Sequence, residues 1–486
     1  MTTAPESKRE LTLLQSIGYG LGDIYGGGAG TLISFYYLIF LTDVVRIRPA
    51  LAGTVILISK VYDALTDPFE GVIADRTRTR LGRRRPYLLA GIPLVFLSFF
   101  ALFYPIGFAQ ESARFAFVVI SYLFYSTVVS IVMLNYNALQ SELTLDYFER
   151  TNLSSARIFF STVGSIAAAL VPLEIVKAFD SVRSGYIAMG LIFGAFFALP
   201  FIATVATTRE RPEFQTPPQP FNWRKTYIQP FKTRTFVYAL LMYLFAFVAM
   251  DAVSSIVVYY VKYHLGRGDE VSFVTGTLLI AQVASLPFYS WLSQRTSKRT
   301  GYIAGAAVWI VAMLASGLIT PAGPSWAVYV FSAIVGFGTG GIVVMIYAIF
   351  PDIPDVDELA TGERREGTYS ALITFVRKFS SAIAIFLVSN TLSLAGYLPP
   401  VEELTGGTVR LIEQPQTAAF ITAIRGIFAG TPIVLLALAL LAARRYPLTP
   451  ELHHRLNAIL AARRRGDPES ETTRAEAEAL QARLVG

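Results

Sequence analysis

Residues 48–91 read RPALAGTVILISKVYDALTDPFEGVIADRTRTRLGRRRPYLLAG. The run up to Ala74 is long enough to cross a bilayer as a helix, which takes ~20 mostly apolar residues. It nevertheless carries Lys60, Asp63, Asp67 and Glu70. At about 100° per residue, with Asp63 at zero, Asp67 falls at about 40°, Glu70 at about −20° and Lys60 at about 60°. All four therefore share one narrow stripe. Hydrocarbon does not tolerate such a stripe, so it faces a polar interior built by other helices. The loop that follows, DRTRTRLGRRRP (75–86), gathers six Arg and one Asp in twelve residues, as expected of a cytoplasmic anchor.

Working outward, apolar runs recur at 11–42, 48–74, 87–109, 113–141, 153–178, 185–207, 233–263, 270–293, 301–320, 324–350, 367–396 and 417–443. The 486 residues are 53% apolar and 15% charged, with mean hydropathy +0.51. A soluble domain is about 25% charged, so soluble, disordered, coiled-coil and fibrous classes are excluded. The expected fold is an all-α membrane protein with twelve transmembrane helices in two six-helix bundles. The expected boundaries are 1–207 for the first bundle, 208–232 for a Pro-rich cytoplasmic linker, 233–446 for the second bundle and 447–486 for a cytoplasmic tail.

Placing both termini inside puts 28 Lys and Arg in inner polar segments and 8 in outer ones. That ratio orients the chain with both termini cytoplasmic in a cell inner membrane. It also accounts for the net charge of +7 without a nucleic-acid partner. The first ten residues are polar and the first apolar run is too long for a signal-peptide core, so it is expected to be a span. A weak internal echo joins Asp75–Gly91 to Gln294–Gly305 (QRTSKRTGYIAG). Each follows the second span of its half, and parallel repeats of this kind belong to two-bundle transporters. The protein is expected to act as a monomer. The tail is read as solvated, with one short surface helix, a mobile acidic stretch at 467–478, and His453 and His454 in water.

Cysteine is absent and only three His occur, which excludes disulfides, thiolate sites and an imidazole-rich metal centre. No GxSxG, HExxH, Walker A or EF-hand motif is present. GFGTGG (336–341) lies in an apolar span without the following Lys. The chain is therefore read as no enzyme, with no cofactor.

Asp63 and Asp67, one helical turn apart, repel each other unless a cation lies between them or one is protonated. Oxygen-only ligands suit an alkali cation. The competing reading is a structural Lys60–Asp pair, which has real weight for Glu70 near the basic loop. Asp75, with Arg83 and Arg84, is a candidate cytoplasmic gate. The first span holds seven glycines around Asp23, either as a bending, pathway-lining helix or for close packing. The fourth span carries Ser130, Asn135, Asn137 and Gln140. Arg157 and Lys378 are candidates for an interior charge. Arg377 is read as snorkelling, and Asp251, Glu174 and Arg425 stay unplaced.

The segments YGLGD (19–23), FLTDVV (40–45), DALTDPFEGVIADRTRTRLGRRRPYLL (63–89) and EGTYSALITFVRKFSSA (366–382) resemble the glycoside–pentoside–hexuronide:cation symporters of the major facilitator superfamily, the family of the melibiose permease. The resemblance implies alternating access and symport of a solute with Na⁺, H⁺ or Li⁺. It implies cation binding by Asp63 and Asp67, the metal ligands if the ion is Na⁺, with help from Ser130. It carries the interior Arg and Lys over to Arg157 and Lys378. The galactoside-binding positions are altered: Gly27, Met133 and Asn137 stand where that site has Asp, Asp and Trp. The expected substrate-binding set is Asp23, Tyr25, Gly27, Met133, Asn137, Arg157 and Lys378. The solute is expected to be a sugar or glycoside. The competing classes are a lysophospholipid, as moved by an animal member of the family, and a non-transporting receptor.

Overall fold

The computed structural model describes residues 11–144, 147–210, 229–362, 366–405, 408–465 and 470–485. The chain forms two compact units, residues 1–219 with 398–415, and residues 220–397 with 416–486.

The first unit is built from six helical rods. The first rod joins α1 (Leu13–Leu21) and α2 (Asp23–Leu32) to two π-helical turns ending at Val44. A capping box closes its start, the Thr12 side chain accepting from the Gln15 N–H. The second rod is α3 (Pro49–Arg76), opened by a proline whose missing N–H costs nothing at that position. Then come α4 (Arg85–Leu102) and α5 (Glu111–Leu143). The fifth rod is α6 (Tyr147–Leu170) with α7 (Pro172–Lys177), and the sixth is α8 (Val182–Ala198) with α9 (Pro200–Thr207). Both breaks fall at a proline, which removes a backbone donor.

Glycine decides how the first rod packs. A Cβ on Gly27 would lie 2.5 Å from the Ser161 carbonyl of α6, and one on Gly28 would lie 2.9 Å from that of Gly164. Backbone therefore meets backbone, the packing available where lipid supplies no hydrophobic drive.

The second unit repeats the plan. Its rods are α10 (Arg234–Tyr259) with a π turn to His264, α11 (Val271–Arg295), α12 (Lys298–Ala315), α13 (Ser325–Ile349) continued by α14 (Ile353–Thr361), and α15 (Glu366–Leu394). The sixth is α16 (Ala418–Arg425) joined through a π turn to α17 (Thr431–Arg445). The glycines of GFGTGG serve packing here too: a Cβ on Gly305 of α12 would stand 2.8 Å from the Gly338 carbonyl. Among the described residues the strand pairing consists of an antiparallel hairpin, β1 (Val401–Thr405) and β2 (Thr408–Ile412), which belongs to the first unit, and an isolated bridge between Thr79 and Gly82.

Ten of these rods are long and apolar enough to cross a membrane by themselves. The first rod and α3 are not among those ten; the six rods in each unit are consistent with the expected twelve-span plan.

The tail corrects an expectation. It forms α18 (Pro450–Arg465) and α19 (Glu471–Leu484), and both are packed onto the second unit. Leu456, Leu460 and Leu484 are buried. Arg234 N–H donates to the Val485 carbonyl at 2.8 Å, and the Thr235 hydroxyl donates to that of Leu484 at 2.7 Å. His453 is half-buried, its Nε2 3.8 Å from Asp352 and 3.7 Å from Asp355. The described part of the acidic stretch, 471–478, is helical and belongs to α19, whose Ala477, Leu480 and Leu484 line a buried face.

Candidate functional site

Three polar clusters occupy the first unit. The first joins α3 to α5. Asp63 is 1% exposed, and both its oxygens are engaged. Oδ1 accepts from the Ser126 hydroxyl at 2.6 Å, and Oδ2 accepts from Lys60 Nζ at 2.8 Å. Ser59 in turn donates to Ser126 at 2.9 Å. One turn along, Asp67 Oδ1 accepts from the Ser130 hydroxyl at 2.7 Å. Two acids four residues apart thus face two serines four residues apart, in register across the helix pair. Tyr62 and Thr127 share a further hydroxyl contact at 3.0 Å.

The sequence reading had Asp63, Asp67 and Ser130 together and missed Ser126 and Ser59. The missed signal was spacing, since Ser126 and Ser130 repeat the interval of the acids on a neighbouring span. The Lys60–Asp63 pair is present, but it lies within α3 three residues apart and ties no two helices together. Lys60, Asp63 and Asp67 carry one net negative charge between them, which suits a monovalent cation. Hydroxyls and carboxylates are hard ligands of the kind such ions take. Among the described residues no group of three or more His, Asp and Glu is gathered as a multidentate metal centre would need.

The second cluster is centred on Arg157 of α6. Its Nη2 donates to Asn137 Oδ1 at 2.7 Å and reaches Asp23 Oδ1 at 3.4 Å, while Nη1 donates to Gln140 Oε1 at 3.1 Å. The guanidinium lies 5.0 Å from the ring centre of Tyr136. That ring stacks on Tyr19 at 4.7 Å, each phenol donating to the other residue's carbonyl. The Met133 methyl and the Asp23 carboxylate border the bare face of Gly26, 2.7 and 2.4 Å from where a Cβ would stand. Asp23, Met133, Asn137 and Arg157 are thus brought together from α2, α5 and α6.

Three expected substrate residues fall elsewhere. Tyr25 is 0% exposed, with its ring against Phe197 and Phe201 at 5.8 and 5.9 Å. It serves the core and offers no platform. Gly27 is closed against α6, so its side-chain direction is filled by the Ser161 hydroxyl and carbonyl and the Ser165 hydroxyl. Lys378 stands on α15 in the second unit, beside Arg377.

The third cluster holds the basic loop. Arg83 and Arg84 are buried, and both pair with Glu142 of α5, at 2.7 and 3.0 Å. Arg84 also reaches Asn135 at 3.4 Å. Asn135 therefore belongs to this end and not with Asn137. The Glu210 carboxylate accepts the backbone N–H groups of Arg83, Arg84 and Arg85 at 2.6 to 2.8 Å. It caps α4, where unpaired N–H groups and the helix dipole favour an anion. Gly82 makes room for it at φ +106°. The side chain of Asp75 lies outside the described residues, as does most of the expected linker.

Residues 18–450 match the family model described as MFS/sugar transport protein. The chain is 28% identical to an uncharacterised symporter of Synechocystis sp., over 95% of this chain and 99% of that one. It is 27% identical to an isoprimeverose transporter of Lactiplantibacillus pentosus, over 79% and 81%. It is 21% identical to a sodium-dependent lysophosphatidylcholine symporter of Danio rerio, over 97% and 94%. A bacterial homologue of the iron transporter ferroportin, solved in an inward-facing state, superposes with TM-score 0.63 at 16% identity, covering 90% of this chain and 99% of that one. That likeness shows the fold. The chain thus belongs to the MFS/sugar transport protein family and is a multi-pass inner-membrane symporter of the major facilitator fold, not an enzyme.

Proposed function

We propose that the protein couples one monovalent cation, held by Asp63 and Asp67 with the hydroxyls of Ser126 and Ser130, to a sugar or glycoside held at the Arg157 cluster. The observation that carries this reading is the in-register pair of ladders on α3 and α5. Carboxylates one turn apart lie about 6 Å from each other. At an effective dielectric of 20 their repulsion is roughly 3 kcal/mol. Lys60 offsets part of it from one side, and an incoming Na⁺, H⁺ or Li⁺ offsets the rest. Cation binding then brings the charge of the group to zero, which lowers the cost of its burial during the transport cycle.

The solute is read from the second cluster. A guanidinium bonded to two amides and backed by an aromatic ring leaves further N–H donors for hydroxyl oxygens. The match to an isoprimeverose transporter supports a saccharide. A lysolipid is the second reading, favoured by the nearly full-length match to the Danio rerio symporter. The gate role of Arg83 and Arg84, with Asp75, belongs to this proposal. Their bonds to Glu142 tie the basic loop to α5, and release of that tie would accompany opening. Both termini are placed in the cytoplasm on the Lys and Arg ratio.

The test is a thermal-shift screen of purified protein against isoprimeverose, other glycosides and lysophosphatidylcholine, with and without Na⁺. The reading expects a saccharide whose stabilisation grows with the cation. Stabilisation by lysophosphatidylcholine alone would transfer the assignment to the lipid. Asp63→Asn and Asp67→Asn are each expected to abolish cation-driven uptake into proteoliposomes while the protein stays folded. Uptake at the unmodified level in both variants would refute the cation assignment.

A further inference from the structure

The Arg157–Asp23 pair has a counterpart in the second unit. Asp23 lies on the first rod of its unit and Arg157 on the fifth. Asp251 lies on α10, the first rod of the second unit, and Arg377 lies on α15, its fifth. Arg377 Nη2 donates to Asp251 Oδ1 at 2.9 Å, and Nη1 donates to Oδ2. The guanidinium lies 4.9 Å from the ring centre of Phe247, as that of Arg157 lies over Tyr136. In both pairs the acid is the more deeply buried partner. Side-chain exposure is 11% for Asp23 against 22% for Arg157, and 6% for Asp251 against 34% for Arg377.

Arg377 is eleven residues into α15, roughly 16 Å along the helix at ~1.5 Å per residue. The side chain does not snorkel back to the inner face but turns to Asp251. A guanidinium one-third open at that depth faces a polar space, because hydrocarbon would not tolerate it.

We propose that Arg377 is a solute-contacting, specificity-determining residue of the second unit, oriented by Asp251, and that it takes the hydroxyl oxygens of a neutral sugar ring. This rests on the saccharide reading above. Asp251 uses two of the five N–H donors of Arg377 and cancels its charge. The remaining donors are fixed in one plane and serve neutral acceptors without calling for a counter-charge. An anionic group on the solute would instead compete with Asp251. Tyr347, 57% exposed, packs edge-to-face with Phe247 at 6.3 Å and so brings an exposed aromatic ring next to the one that Arg377 covers. Donors near an exposed aromatic ring are what a pyranose ring binds. Asp251 is a positioning residue, acting through Arg377.

The test measures isoprimeverose and phenyl β-D-glucuronide binding to the full-length protein by calorimetry, beside the Na⁺-induced thermal shift. R377K is expected to weaken isoprimeverose binding at least tenfold and to leave the Na⁺ response unchanged. The exchange D251R with R377D rebuilds the ion pair between the same two helices. It is expected to recover the melting temperature but not the saccharide affinity. Recovery of affinity in the exchanged protein, or unchanged affinity in R377K, would reduce the pair to a structural tie and overturn the proposal. Tighter binding of the glucuronide, lost on R377K, would overturn the neutral-ring assignment. A wild-type protein that answers to Na⁺ but to neither saccharide overturns the solute reading, and this inference with it. A wild type that binds isoprimeverose with R377K unaffected overturns this inference alone.

Discussion

At the residue scale, Lys60 stands out. Its ammonium occupies one oxygen of Asp63, the acid expected to receive the coupling ion. It thus acts as a tethered counter-ion that an incoming cation must tolerate or push aside. Two positive charges about 4 Å apart repel by roughly 4 kcal/mol at an effective dielectric of 20, of which rearrangement of the Lys60 side chain recovers a part. Lys60→Gln should therefore tighten cation binding, on the order of tenfold, or about 1.4 kcal/mol. Titration of Na⁺ against intrinsic fluorescence checks this, and weaker binding in the variant would show that Lys60 supports the site. Ser126→Ala removes a donor to a buried carboxylate, and a bond to a charged group contributes about 1.5–3 kcal/mol. The expected result is a lower melting temperature together with weaker cation binding. A change in melting temperature alone would place Ser126 outside the cation's reach.

At the element scale, the first rod and α6 are held by backbone proximity. A Cβ on Gly164 would stand 2.5 Å from the Ile24 carbonyl, so Gly164→Ala forces α2 and α6 apart. Overpacking of this kind costs about 1–3 kcal/mol. The Arg157 cluster is assembled across that contact, so solute affinity should fall with stability while Na⁺ binding on α3 and α5 persists. Calorimetry of both ligands on the same preparation separates the two effects. The pattern of glycines was visible in the sequence, but its meaning was not. Periodicity says which residues share a face, whereas only the packed pair shows that Gly27 and Gly28 meet backbone. The same limit explains Tyr25: its place beside Asp23 suggested a platform, and the rotation of α2 turns it onto Phe197 and Phe201.

At the scale of the whole molecule, the tail is part of the second unit. Its helices carry Leu452, Leu456, Leu460, Leu480 and Leu484 into the interior and bond the start of α10 through the Leu484 and Val485 carbonyls. Each buried leucine contributes about 1.5–3 kcal/mol. Deletion of 450–486 should lower the melting temperature by on the order of 5 °C or more. Arg464→Ala alone should change it little, because its pair with Glu358 is half-exposed and such pairs contribute about 0–1 kcal/mol. A scanning calorimetry trace unchanged by the deletion would refute a structural role for the tail.

The order of apolar runs and the clustering of Arg set the class and the stripe on α3, because solvent preference and helical period are properties of the chain taken residue by residue. Which stripe opposes which other stripe is not such a property. Ser126 against Asp63, Glu142 beneath Arg83 and Arg84, and Asp251 behind Arg377 each join residues 58 to 126 positions apart. The rotation and depth at which two helices dock decide those partners. Close approach at glycine and the need to pair every charge removed from water fix that docking, and both are settled only when the helices are packed together.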